Sequence, residues 1–161
     1  MITRKNLDDL YNWALKGNFP MKGNPTSPNY SNKKIYICQF KFVRKSMNIR
    51  KKLMTDEIYE IFKNDEILNS NYAIFAGGTI LKPHIDPDIY TERYKRIQIP
   101  LYLPEKDKMY MTWEDGRRIY WEEGEPQVWH VMDYLHSGNN ESDRPAKFLF
   151  LDVKLDTNVE I

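Results

Sequence analysis

Beside its carboxylates, this 161-residue sequence has few side chains that can bind a transition metal: three histidines, His84, His130 and His136, and one cysteine, Cys38. One residue, Ile85, separates His84 from Asp86 in the run Lys82-Pro83-His84-Ile85-Asp86-Pro87. In an extended segment, residues two apart project to the same side, so an imidazole and a carboxylate would enter one space together. A third ligand from another segment would give two imidazoles and one carboxylate on one side of a divalent ion. That facial set leaves positions open on non-haem Fe(II). The triplet alone also fits a loop histidine beside a turn aspartate, because Pro83, Pro87 and Asp88 favour turns.

His130 and His136 compete for the third place. His130 lies in a strand-like run with Trp129 and Val131, the setting of a packed histidine. His136 ends such a run and opens the polar stretch from Ser137 to Arg144. A ligand at a strand end can face a cavity mouth, which favours His136. In the run after the His-x-Asp triplet, Ile97, Ile99, Leu101 and Leu103 share one face and Arg96, Gln98, Pro100 and Tyr102 the other. An unpaired guanidinium on a core face is costly, so Arg96 must meet an anion, water or the surface. If its face lines the cavity of His84 and Asp86, it could take a carboxylate bidentately.

The elements that would position these residues are short. A first helix is expected with Asn6 as N-cap, Asp8 and Asp9 in its first turn, Lys16 in its last and Gly17 in the left-handed position beyond, burying Leu7, Leu10, Tyr11 and Ala14. Residues 18–33 have loop composition and could form a lid. A strand over 35–43 would place Tyr36, Cys38, Phe40 and Phe42 on one face and Gln39 and Lys41 on the other. Thr55, Asp56 and Glu57 open a second helix with Ile58, Ile61 and Phe62 on one side. Seven short strands follow, over 72–76, 79–86, 96–103, 109–114, 117–122, 127–132 and 146–153. Asp115-Gly116 signals a two-residue hairpin of type I′. This texture predicts a mainly β, α+β fold, a jelly roll with N-terminal helices covering one sheet. One domain over 1–161 is expected, with 1–70 supporting a core at 71–154.

Twenty-four basic and 23 acidic side chains leave a net charge of +1, which argues against a general polyanion binder. The basic run Lys41, Arg44, Lys45, Arg50, Lys51, Lys52 lacks the interleaved aromatics on which bases stack, so a solvated flank is expected there rather than a nucleic-acid footprint. A single cysteine cannot form an internal disulfide, and no apolar run resembles a signal peptide or a membrane span, so a soluble, cytoplasmic protein is expected.

From Tyr72 to Val153, about half of the chain, several motifs stand in a familiar order. They are Gly78 in a turn, Pro83-His84, Arg96-x-x-Ile99-Pro100-Leu101, Trp121-Glu122-Glu123-Gly124, His136 and Leu149-Phe150-Leu151-Asp152-Val153. In these the chain resembles the aspartyl/asparaginyl β-hydroxylase family of Fe(II)/2-oxoglutarate oxygenases. The resemblance implies a double-stranded β-helix, iron held by His84, Asp86 and His136 as the catalytic centre, and Arg96 and Gln98 facing cosubstrate or substrate. It implies hydroxylation of a carbon of a peptidyl Asp or Asn or a related small substrate, with 2-oxoglutarate and O2 consumed. Some animal members lack the carboxylate ligand that Asp86 would supply. Relative to those, no tetratricopeptide or membrane segment is present, which suggests a stand-alone domain of microbial or viral type.

The chain departs from the family twice. The usual last-strand arginine for the distal carboxylate of 2-oxoglutarate is replaced by Ala146, and a helper serine by Ala73. Arg144 keeps the parity of Ala146 and is the first candidate to compensate, provided Pro145 does not end the strand. Gln98 stands where relatives often place a histidine and can still donate to an anion. Two other readings stay open: a non-catalytic cupin-like metal- or ligand-binding module, and a nucleic-acid-modifying oxygenase.

Overall fold

The computed structural model describes residues 1–43, 48–90 and 92–161, so Arg44 and Lys45 of the basic run lie outside the described residues. Helix α1 spans Arg4–Lys16, α2 Ser27–Tyr30 and α3 Asp56–Phe62. The strands are β1 (Lys22–Gly23), β2 (Ile35–Phe42), β3 (Asn48–Ile49), β4 (Ile67–Phe75) and β5 (Tyr94–Tyr102). They continue with β6 (Met109–Trp113), β7 (Arg118–Tyr120), β8 (Gln127–Trp129), β9 (His136–Asn140) and β10 (Ala146–Lys154). No helix among the described residues is long and apolar enough to cross a membrane.

Two antiparallel sheets carry the fold. The larger runs β1-β2-β4-β10-β5-β8, with β3 beside β2, and the smaller runs β7-β6-β9. This is the mainly β, cupin-like jelly-roll architecture that the strand pattern predicts. Residue 70 falls inside β4, and β2 pairs with β4, so the N-terminal part shares a sheet with the expected core. Alternation sorts the large sheet into two faces. One face carries Cys38, Phe40, Tyr72, Ile97, Ile99, Leu101, Leu149, Leu151 and Val153, and is covered by Leu7, Leu10 and Ala14 of α1 and Ile58 and Phe62 of α3. The other face looks toward the small sheet.

Register aligns the second face in rows. Gln39, Asn71, Phe150 and Gln98 form one row, and Phe42, Asn69, Asp152, Arg96 and Trp129 the next. The β2 contribution depends on a bulge. Gln39 pairs with Asn71 but Lys41 with Ser70, so Phe40 is the extra residue and parity changes there. The predicted grouping of Phe42 with Cys38 and Phe40 is therefore corrected: Phe42 turns to the cavity face with Gln39, while Lys41 is buried. The Lys41 ammonium donates to the carbonyls of Phe62 (2.5 Å) and Asn64 (2.8 Å) at the end of α3.

Other expectations shift for local reasons. Helix α1 begins earlier, because Thr3 and Asn6 cap it reciprocally; Asp8 and Asp9 then sit one turn along and pair with Arg4 and Lys5. Gly17 is extended at φ −75°, not left-handed. The β6–β7 hairpin closes with Gly116 alone at positive φ and a Trp113 to Arg117 hydrogen bond, a three-residue loop in place of the type I′ turn. The expected strand over 79–86 forms isolated bridges only, Ile80 to Asn139, Leu81 to Ser31 and His84 to His136. Residues 18–33 hold β1 and α2, and Asn24, Pro25, Thr26, Ser27 and Tyr30 line the cavity.

Replacing Lys41 with Met should destabilise the fold by about 1–3 kcal/mol, because two carbonyls lose their donor. Burial pushes the Lys41 amine down to about 8 from 10.5. In that window the unfolded chain binds the extra proton, so this group makes stability rise from about pH 8 to 10.5. Urea titrations across that range should show the rise in the parent and its loss in Lys41→Met.

Candidate metal centre

Between the sheets lies a cavity of about 550 Å³. His84 and His136 meet at its mouth because their backbones form a reciprocal pair: the His84 N–H donates to the His136 carbonyl (3.1 Å) and the His136 N–H to the His84 carbonyl (3.0 Å). Such a pair puts both side chains on one side, and the rings lie 4.6 Å apart between centroids. The Asp86 N–H donates to the Val131 carbonyl (2.9 Å), which brings the carboxylate under both rings. Asp86 Oδ1 is 3.0 Å from His136 Nε2 and 3.3 Å from His84 Nε2.

Each imidazole is oriented by its own loop. The Nδ1 atoms lie 2.6 Å from the Lys82 carbonyl for His84 and 2.9 Å from the Tyr134 carbonyl for His136. A carbonyl can only accept, so Nδ1 carries the proton and Nε2 is the atom left to bind a metal. One ligand atom from each of the three residues falls within 4.8 Å of the others. The donor set, two imidazole nitrogens and a carboxylate oxygen, fits a mid-series divalent ion such as Fe(II). His130 is exposed beside Asp133, away from this group, so the packed setting read for it from sequence does not hold.

Arg96 does not stand free to grip a ligand carboxylate. Its Nε and one terminal nitrogen hold Asp152 at 2.7 and 3.1 Å, and the other terminal nitrogen holds Asp86 Oδ2 at 3.0 Å. Asp152 is 1% exposed and also accepts from Tyr90 Oη at 2.8 Å and Asn69 Nδ2 at 3.4 Å. One guanidinium thus bridges two buried carboxylates, one of which faces the metal position with its other oxygen. Burial raises the Asp86 pKa, but Arg96 and the two histidines carry it far below the usual carboxylate range. Burial lowers that of His84, and its hydrogen bonds to Asp86 and Lys82 outweigh the burial, leaving it raised. Burial, then Asp152, pushes the Tyr90 phenol well up.

Gln98 also lines the cavity, 3% exposed, with Oε1 accepting from the indoles of Trp129 (2.9 Å) and Trp121 (3.1 Å). Two donors on the oxygen fix the amide so that its NH2 is the group left to face a ligand. Ala73 lines the cavity too, and Ala146 is buried opposite Phe75. Arg144, the residue expected to compensate for Ala146, is exposed in the turn before β10 and is not in the cavity wall. Its parity would serve only if the strand continued past Pro145, and β10 begins at Ala146. Asp152, Tyr90 and the two indoles received no site role from sequence. For Asp152 a usable signal existed: it has the parity of Phe150 on the last strand.

No family model matches the sequence, and no curated protein matches it. Solved structures match the fold. An oxidoreductase of the 2OG-Fe(II) oxygenase family from Burkholderia pseudomallei aligns over 91% of this chain and 78% of its own, with TM-score 0.63 and 11% identity. A predicted oxalate decarboxylase from Thermotoga maritima aligns over 88% and 96%, with TM-score 0.53 and 11% identity. A cupin-like protein from the same organism aligns over 84% and 80%, again at TM-score 0.53 and 11% identity. At this identity the likeness establishes a cupin-like fold shared by oxygenases and other cupins, and does not single out the aspartyl/asparaginyl hydroxylases.

Replacing Arg96 with Met leaves Asp86 and Asp152 buried without their countercharge, and should cost about 3–5 kcal/mol of stability in chemical denaturation. Asp152→Asn keeps the shape and loosens the clamp on Asp86. It should weaken the affinity of this candidate site for a divalent metal about tenfold to a hundredfold in anaerobic titration, the usual scale for an outer-sphere partner.

Proposed function

We propose that this chain is a mononuclear Fe(II)-dependent oxygenase of the cupin-like type, with His84, Asp86 and His136 as its metal ligands. The observation that carries this reading is the convergence of three ligand atoms from two segments at the mouth of a cavity between two sheets. Bound Fe(II) supplies O2 activation at the positions that three protein ligands leave open. The protein's part is placement. Lys82 and Tyr134 carbonyls aim the two Nε2 atoms, and Arg96 holds Asp86 so that one oxygen faces the ion. The aromatic wall of Trp121, Trp129, Tyr94 and Phe150 limits water around the reacting atoms.

The narrower form is a 2-oxo-acid-dependent hydroxylase acting on a peptidyl Asp or Asn carbon or a related small substrate, as the motif order suggests. One oxygen atom of O2 enters the substrate and the other the shortened acid, with CO2 released; both organic molecules lose two electrons. The fit to 2-oxoglutarate itself is partial. Its chelating end suits the metal, while its distal carboxylate meets no unpaired cation among the described residues of the cavity wall. That mismatch favours, as a second reading, a metal-binding module without turnover. The nucleic-acid reading loses Lys41, which is buried.

The test is anaerobic Fe(II) titration followed by O2 admission with a panel of 2-oxo acids, scored by CO2 release. The oxygenase reading expects one bound Fe(II) per chain, O2-dependent CO2 release, and loss of both in His136→Ala. Tight metal binding without CO2 from any 2-oxo acid would instead establish the module.

A further inference from the structure

We propose that the ligand sharing this cavity with the metal is a 2-oxo acid with an uncharged tail, and that 2-oxoglutarate is the poorer ligand. The inference rests on the metal-centre reading above and narrows its cosubstrate. Three observations carry it.

The cation that faces the cavity is already neutralised. All three guanidinium nitrogens of Arg96 are engaged by Asp152 and Asp86, at 2.7, 3.1 and 3.0 Å. A ligand carboxylate arriving there would displace a buried aspartate from its countercharge or sit beside two like charges, and both are unfavourable. Of the three phenols in the cavity wall, Tyr90 donates to Asp152 and Tyr94 to the Pro87 carbonyl, and the third, Tyr30, carries no positive charge.

The start of β10 is apolar core. Ala146 is 0% exposed and pairs with Phe75, whose ring packs against Phe148 at 5.2 Å, and Trp121 packs against Phe148 at 4.7 Å. A carboxylate next to that cluster would lose its hydration and gain no partner. An aliphatic or aromatic tail is suited to such a wall.

The side-chain amides of Gln98 and Asn71 in the cavity wall are neutral. The Gln98 amide, turned by the Trp121 and Trp129 indoles, offers NH2 and no charge. It can orient a polar atom of the ligand without favouring an anion. The acid group that chelates the metal balances part of the ion's charge, so a second acid group is the one left unmatched.

The experiment uses the full chain loaded anaerobically with Fe(II). 4-Methyl-2-oxopentanoate, 2-oxoglutarate and pyruvate are titrated separately, followed by calorimetry and by the visible charge-transfer band of a 2-oxo acid chelated to Fe(II). The inference expects 4-methyl-2-oxopentanoate to bind at least tenfold more tightly than 2-oxoglutarate, with pyruvate reporting the chelating end alone. Equal or tighter binding of 2-oxoglutarate overturns it. So does Fe(II)-loaded protein that binds none of the three, a result that leaves the metal centre itself standing. Failure to bind Fe(II) removes the metal-centre reading instead.

Discussion

The interaction on which the rest of this structure depends is the bridge from Asp86 through Arg96 to Asp152. It ties the loop that carries two of the three candidate ligands to the central strands of the large sheet. Neither carboxylate is tolerable in that interior alone, because moving an unpaired carboxylate out of water costs several kcal/mol even after relaxation. Arg96 makes both tolerable at once, and Tyr90 and Asn69 fill further acceptor positions on Asp152. The result is a carboxylate whose one oxygen is anchored and whose other is directed at two imidazoles.

The fold around the bridge supplies rigidity at the points the chemistry needs. His84 and His136 belong to different segments, and their reciprocal backbone hydrogen bonds fix the separation of the rings. Asn140, buried at the far end of β9, donates to the carbonyls of Phe75, Ala76 and Arg144 and so joins the end of β4 to the turn before β10. Gly77 serves the same join: a Cβ there would lie 2.4 Å from the Asp143 backbone. Sites whose side chains are held by packing and outer hydrogen bonds keep their geometry better than sites on free loops.

Alternation carried most of what the sequence could reveal. The parity of His84 with Asp86 and of Arg96 with Gln98 survives in three dimensions, because side-chain direction in extended backbone is a local property. Gly116 marks its hairpin correctly, although the loop is one residue longer than a type I′ turn needs. Two features were not local. The bulge at Phe40 reverses the facing of Phe42, and nothing in the residue types of β2 announces it. The partner of Arg96 is Asp152, 56 positions away, and pattern alone could offer a ligand carboxylate in its stead. Arg144 stands outside the cavity wall because the strand begins only after Pro145, a boundary that was legible in the sequence.

The cavity that results has a candidate metal site at its mouth, an ion bridge of one guanidinium and two carboxylates on one wall, and an aromatic lining. The most direct test of this account is anomalous diffraction from crystals of the protein soaked anaerobically in Fe(II). The account predicts one strong peak between the sheets, about 2.0–2.2 Å from Nε2 of His84, Nε2 of His136 and an oxygen of Asp86, with Arg96 still on the other Asp86 oxygen. A peak elsewhere, or an ion at that mouth that His136 does not ligate, would contradict it.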